Sequence, residues 1–248
     1  LPVIVTVRSA AEGGTWTGSE QERQAVLARL AGARPAFLDL EYLTWQVAGP
    51  ELRAAVNALR SAGSGLILSH HDLSGTPDDL GAVFERLAAA PADVVKAVFA
   101  AQDARDAFRV LAELAPRAAG RPMIALTMGE AGLATRVLAG KFGAFLTFAA
   151  LNSEQESAPG QPALAGLPGV YRWPRIGRGP GVVTDDPLAE VWLVDVGTAG
   201  VVTSRGTVDL PGSSAPTWAV WDSGNLLLGR TSGYVELWRW ASATSMQL

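Results

Sequence analysis

Cysteine is absent from the 248 residues, which removes disulfide frameworks and thiolate metal sites from consideration. Lysine and histidine are almost absent. Lys96 and Lys141 are the two lysines among 20 basic residues, and the only histidines are the adjacent His70 and His71. No apolar run reaches the roughly 18 residues of a membrane span, so no membrane partner is expected. There is no basic run, and the net charge is −4, which argues against a nucleic-acid surface. The chain opens directly on the apolar run "LPVIVTV" with no charged leader, so no signal peptide is expected and a cytoplasmic location is compatible. With no initiator methionine, further residues upstream of Leu1 are expected. After that first run, "RSAAEGG" is not the glycine-rich G-x-G-x-x-G of a dinucleotide site.

What is present describes a globular α/β chain. Apolar residues make up 48% and charged residues 18%, and the length suits one large domain or two smaller ones. Six short β-like runs recur: Val3–Val7, Ala36–Glu41, Gly65–Ser69, Asp93–Phe99, Met123–Met128 and Ala144–Phe148. Helical patterns separate most of them. "GSEQERQAVLARLAG" opens with Ser19 and Glu22 in capping-box spacing. "GPELRAAVNALRSAG" places Pro50 at a first helical position and ends at Gly63. "TPDDLGAVFERLAAA" repeats the device with Thr76, Pro77 and Asp79, and "DARDAFRVLAELA" and "GLATRVLAGKFG" follow. Strand–helix alternation with a period near 30 residues predicts βαβ units and a parallel sheet. The nearly continuous apolar strands fit a sheet covered on both faces.

Residues 178–248 differ. They contain no lysine or histidine but five of the eight tryptophans. Short alternating runs such as "AEVWLVDVG" and "TWAVWDSG", split by Gly/Ser turns, suggest a β-meander. A β-rich unit and a disordered or frame-shifted tail both remain open, and no function is assigned to this stretch.

Polar residues collect at strand ends, where barrel enzymes place their chemistry. Arg8 and Glu12 follow the first run, His70 and His71 follow the third, Lys96 lies within "ADVVKAV", and Arg136 follows the fifth. Ser157 and Gln161 lie in the loop after the sixth. Burial would lower the pKa of Lys96 and make a neutral, nucleophilic amine. A lysine at a strand end that snorkels to solvent is the competing reading. The default for His70 and His71 is a turn histidine, and for the arginines and Glu12 an ordinary ion pair.

The ordered motifs "VTVRSAAEGG", "SHHDLSGTP", "ADVVKAV", "MGEAGLATRVLAGKFGAFLTFAAL" and "SAPGQP" together resemble type I 3-dehydroquinate dehydratase, the Schiff-base class of the shikimate pathway. The resemblance covers about residues 1–176, and "SAPGQPALAGLPGVYRWPRIG" is closest to forms fused to a shikimate dehydrogenase. It implies a (β/α)8 TIM barrel, here expected to lack its first two βα units, with residues 177–248 as a separate Trp-rich tail. It implies dehydration of 3-dehydroquinate without metal or organic cofactor. It assigns imine formation to Lys96, general base chemistry to His71 and orientation of that base to Glu12. Arg8, Arg136, Ser157 and Gln161 resemble substrate-binding residues, while His70 and Glu41 stay outside the site. A small-molecule substrate is the implied partner, and a homodimer is compatible. The alternatives are another Schiff-base lyase or aldolase, and an inactive chain that keeps the motifs.

Overall fold

Five parallel strands carry the first part of the chain: β1 (Ile4–Thr6), β2 (Phe37–Glu41), β3 (Gly65–Asp72), β4 (Val94–Ala100) and β5 (Met123–Met128), in spatial order β1-β2-β3-β4-β5. The structure is a computed structural model that describes residues 2–152 and 154–171, together with seven strands between 181 and 247. Helices link the strands as the βα reading requires: α1 (Glu20–Gly32), α2 (Tyr42–Gln46), α3 (Pro50–Ser61), α4 (Leu80–Ala88), α5 (Ala104–Ala118), α6 (Leu133–Val137) and α7 (Gly166–Gly169).

The local signals explain most of these boundaries. Ser19 and Glu22 form both halves of a capping box on α1. Pro50 opens α3, where its missing N–H costs nothing. The start of α4 differs from expectation, because Asp79 is its cap, accepting from the Ala82 N–H at 3.1 Å. Thr76 donates instead to the Ala100 carbonyl at 3.0 Å. The pattern "GLATRVLAGKFG" yields only the five-residue α6 before the chain turns.

Strand alternation divides the sheet into two faces. On one, Leu38, Leu40, Leu66 and Leu68 pack against Leu27 of α1 and Leu52, Val56 and Leu59 of α3. On the other, Ile67, Val94, Val98, Ile124 and Leu126 form an apolar base with Phe37, Leu146 and Phe148. The expected sixth strand at 144–148 is not one. It shares a single ladder-like bond with β5, from the Phe145 N–H to the Met123 carbonyl at 2.7 Å. Phe145 meets Phe37 of β2 edge-on at 5.5 Å. The physical reason lies in "AFLTF": as a sixth strand at the edge of the sheet it would expose its aromatics, whereas lying across the inner face buries part of them.

Two compact units are present, Leu1–Ile176 and Gly177–Leu248. The second contains two antiparallel sheets. One is formed by β6 (Gly181–Asp185), β7 (Glu190–Val196) and β8 (Val202–Asp209). The other is formed by β9 (Pro216–Asp222), β10 (Asn225–Arg230), β11 (Val235–Ser242) and β12 (Ser245–Gln247). The Gly/Ser turns read between these runs lie outside the described residues. Among the described residues no helix is long and apolar enough to cross a membrane, and no group of three or more His, Asp or Glu could hold a metal ion.

Candidate active site

The same alternation that builds the apolar base places polar side chains above it. Asp39 and Glu41 of β2, Ser69 and His71 of β3, and Lys96 of β4 share the inner-face parity. The parallel register sets Glu41 beside Ser69 and Ser69 beside Lys96. A lysine in an apolar strand is therefore one member of a polar layer. His70 has the opposite parity and meets Phe99 edge-on at 6.2 Å, on the helix side of the sheet.

The turn after β1 closes the layer. Arg8 is followed by a 3₁₀ turn, Ala10–Glu12, that buries Glu12. Gly14 permits this, since a Cβ there would lie 1.9 Å from the Arg8 carbonyl oxygen. Arg8 Nη2 donates to Asp39 Oδ1 at 2.9 Å and Nη1 to Ser69 Oγ at 2.8 Å. Glu41 Oε1 lies 3.2 Å from Arg8 Nη1, and Glu41 Oε2 accepts from the fully buried Arg23 of α1 at 2.8 Å. Glu12 Oε2 lies 2.9 Å from His71 Nδ1 and accepts the His71 backbone N–H at 3.0 Å.

Charges in this layer are largely shielded from water, and several of their pKa values move accordingly. Burial, followed by the cations of Arg8 and Lys96, pushes the His71 imidazole down to about 2. Burial and then the neighbouring Glu41 raise Glu12 to about 7, against the opposing pull of Arg8. Burial lowers Lys96; Asp39, 3.0 Å from Nζ, pulls the other way, and Arg8 and Arg136 add to the depression. The ring of Phe148 lies 4.8 Å from Nζ. Lys141 is also buried, so burial alone does not distinguish Lys96; its place in the charged layer does.

Arg136, on α6, is 1% exposed, and its Nε has no hydrogen-bond partner among the described residues. Burial lowers its pKa to about 10. A buried guanidinium with an unmet donor is suited to an anionic occupant. The loop bearing Ser157 and Gln161 docks beside it. Pro159 accepts the Gly129 N–H at 3.1 Å and lies 3.5 Å from Arg136 Nη2. Ser157 and Gln161 pair with each other, the Ser157 N–H reaching Gln161 Oε1 at 3.0 Å. Gly160, at φ +75°, is required at this contact, because a Cβ would lie 2.3 Å from the Gly129 carbonyl oxygen.

A family model for type I 3-dehydroquinase matches residues 1–178. The chain belongs to the type I 3-dehydroquinase family. It is 38% identical over 167 residues to the 3-dehydroquinate dehydratase of Methanosarcina barkeri, covering 65% of this chain and 67% of that one. It is 36% identical over 179 residues to the bifunctional 3-dehydroquinate dehydratase/shikimate dehydrogenase of Arabidopsis thaliana, covering 71% of this chain and 29% of that one. Among solved structures it resembles the type I 3-dehydroquinate dehydratase of Clostridium difficile with covalently modified comenic acid. That match has a TM-score of 0.59 and 27% identity, covering 69% of this chain and 68% of the other. The fold is thus that of type I dehydroquinase TIM-barrel relatives, represented in the first unit by five parallel strands.

In this family member, Lys96, His71, Glu12 and Arg8 meet in one layer, and Arg136 acts electrostatically on Lys96. Ser157 and Gln161 join through Pro159 rather than by touching Lys96. Sequence reasoning left out Asp39 and Ser69. The available signal was parity: "FLDLE" alternates apolar and acidic residues inside a buried strand, which a structural strand end has no need to do.

Proposed function

We propose that this chain dehydrates 3-dehydroquinate to 3-dehydroshikimate through an imine on Lys96. The observation that carries the reading is the buried Lys96 amine, depressed in pKa, in one layer with a neutral His71 and beside the underpartnered Arg136. Arg136 holds the substrate carboxylate. The neutral Nζ attacks the C3 ketone, and the resulting carbinolamine loses water to become an iminium. His71 Nε2 takes a proton from C2 while the electron pair flows into the iminium and leaves an enamine. The enamine then expels the C1 hydroxyl, which departs as water with the proton held by His71. Hydrolysis of the conjugated iminium consumes one water and releases the enone and free Lys96. One water is lost overall.

The test is to mix the chain with 3-dehydroquinate and follow the ultraviolet absorbance of the conjugated enone. A parallel sample receives borohydride, which reduces an imine to a stable secondary amine. The expected results are enone formation and a substrate adduct on the peptide containing Lys96. A folded protein that forms neither, or whose adduct sits on Lys141, sinks the reading.

The loop supplies a further expected outcome. Gly160→Ala forces a non-glycine residue into a left-handed conformation against the Gly129 carbonyl, a strain of about 1–3 kcal/mol. The loop should lift from Arg136 and KM should rise roughly tenfold or more, with the sheet still folded by circular dichroism. An unchanged KM would separate the loop from substrate binding.

A further inference from the structure

The reaction as written leaves the buried Asp39 without a task. Asp39 is 2% exposed, and its carboxylate takes three donors: Lys96 Nζ at 3.0 Å on Oδ2, with Arg8 Nη2 at 2.9 Å and Ser69 Oγ at 2.6 Å on Oδ1. In the parallel register Lys96 stands beside Ser69, and Ser69 beside Glu41. Asp39 lies two residues before Glu41 on the same face, so it supports Nζ from the layer nearer the N-terminal ends of the strands. His71 and Glu12 lie on the opposite side, toward the strands' C-terminal ends. The arrangement gives the amine a fixed floor and leaves its reactive side toward the substrate.

We propose that Asp39 is the positioning residue for the reacting nitrogen, holding Lys96 Nζ first as the amine and then as the protonated imine. The proposal rests on the reading that Lys96 forms the imine. An imine is an effective electron sink only when protonated, and apart from the Phe148 ring 4.8 Å away the other influences on Nζ oppose that charge. These are Arg8 from the turn after β1, Arg136 from α6 and the burial itself; His71 from β3 is neutral. Asp39 from β2 supplies the opposing anion. It is a poor proton acceptor, because Lys96 and Arg8 hold it down to about 2 against the upward pull of burial. Its contribution is therefore placement and electrostatic stabilisation, not proton transfer. Ser69 and Arg8 fix the carboxylate so that neither oxygen must reorganise when the amine becomes an iminium.

The experiment compares the full chain with Asp39→Asn and Asp39→Glu. Trace acetic anhydride labels Lys96 in proportion to its neutral fraction at each pH. Acetylation blocks tryptic cleavage after Lys96, so the product is read as an uncut peptide spanning 87–105. Removing an opposite charge at this range should lower the Lys96 titration midpoint by about 1–3 pH units in Asp39→Asn, while Asp39→Glu should keep it near wild type. Misplacing the nitrogen and losing the iminium proton should lower kcat about 10²-fold in Asp39→Asn, with partial recovery in Asp39→Glu. A purely structural role would not move the Lys96 midpoint. A dehydroquinate adduct on wild-type Lys96 combined with an unshifted midpoint in folded Asp39→Asn overturns the Asp39 assignment alone. A wild-type Lys96 that titrates low but takes no adduct overturns the imine reading, and the iminium role of Asp39 with it.

Discussion

Lys96→Arg should lose turnover by about 10⁴–10⁶-fold, the scale on which deleting a covalent nucleophile acts, while the protein stays folded. The argument separates two properties of the lysine. Its charge neutralises Asp39, whose carboxylate is otherwise buried with Arg8 and Ser69 as partners. In the proposed reaction its neutral form is the nucleophile. Arginine keeps the first property and abolishes the second, because a guanidinium does not deprotonate at working pH. Lys96→Met removes both and should be equally inactive. Its stability should fall, because removing one partner of the buried Lys96–Asp39 pair leaves the carboxylate undercompensated, a loss of about 3–5 kcal/mol where no other cation remains and smaller here because Arg8 still pairs with Asp39. The pair of variants is read by enone formation, borohydride trapping and thermal unfolding. If Lys96→Arg turns over near the wild-type rate, covalent chemistry at this position is excluded and the layer is an ion-pair network only.

The parallel α/β order of the first unit was legible because its cues are local. Ser19 and Glu22 cap α1, Pro50 starts α3, and apolar runs mark β3 and β4. The segment at 144–148 was not, because an apolar run reads alike whether it pairs along an edge or lies across a face; the missing neighbour on β5's far side decides it. The short α2 escaped as well, since "YLTWQ" has too few turns to show a period. For the site, motifs singled out Lys96, His71, Glu12, Arg8 and Arg136 as candidates, yet their connections were not readable. That Arg8 spends its guanidinium on Asp39, Ser69 and Glu41 follows from the register between β1, β2 and β3, which depends on contacts 30 or more residues apart in the chain. Asp39 stayed outside the site because nothing local names the cation that a carboxylate in mid-strand would meet, and only the shared parity with Lys96 reveals the pairing.

His71→Ala should reduce kcat by about 10²–10⁴-fold, the usual cost of a positioned acid–base group, whereas His70→Ala should leave kcat nearly unchanged. Adjacent residues on a strand face opposite sides, and His71 is the one on the Lys96 side, with His70 against Phe99. The pH dependence should identify the same group through its partner. With Glu12 ionised, its Oε2 accepts Nδ1–H and leaves the Nε2 lone pair free as the base. With Glu12 protonated, its O–H donates to Nδ1, the ring proton moves to Nε2 and the base is lost. Because Glu12 is raised to about 7, kcat/KM should fall as the pH drops below about 7, and Glu12→Gln should remove this limb while lowering the plateau. Stability should run the other way. A carboxyl raised in the folded state above its ordinary 4.5 favours folding when protonated, so its contribution is lost as pH rises from about 4.5 through about 7. Above that window Glu12→Gln should be more stable than wild type by up to about 3 kcal/mol, the equivalent of the shift from 4.5 to about 7. Slower turnover combined with higher stability at alkaline pH is the expected signature of a carboxylate kept charged for His71. A Glu12→Gln variant that is slower but no more stable at alkaline pH, with the limb near pH 7 still present, would move that titration to another group and remove Glu12 from the pair.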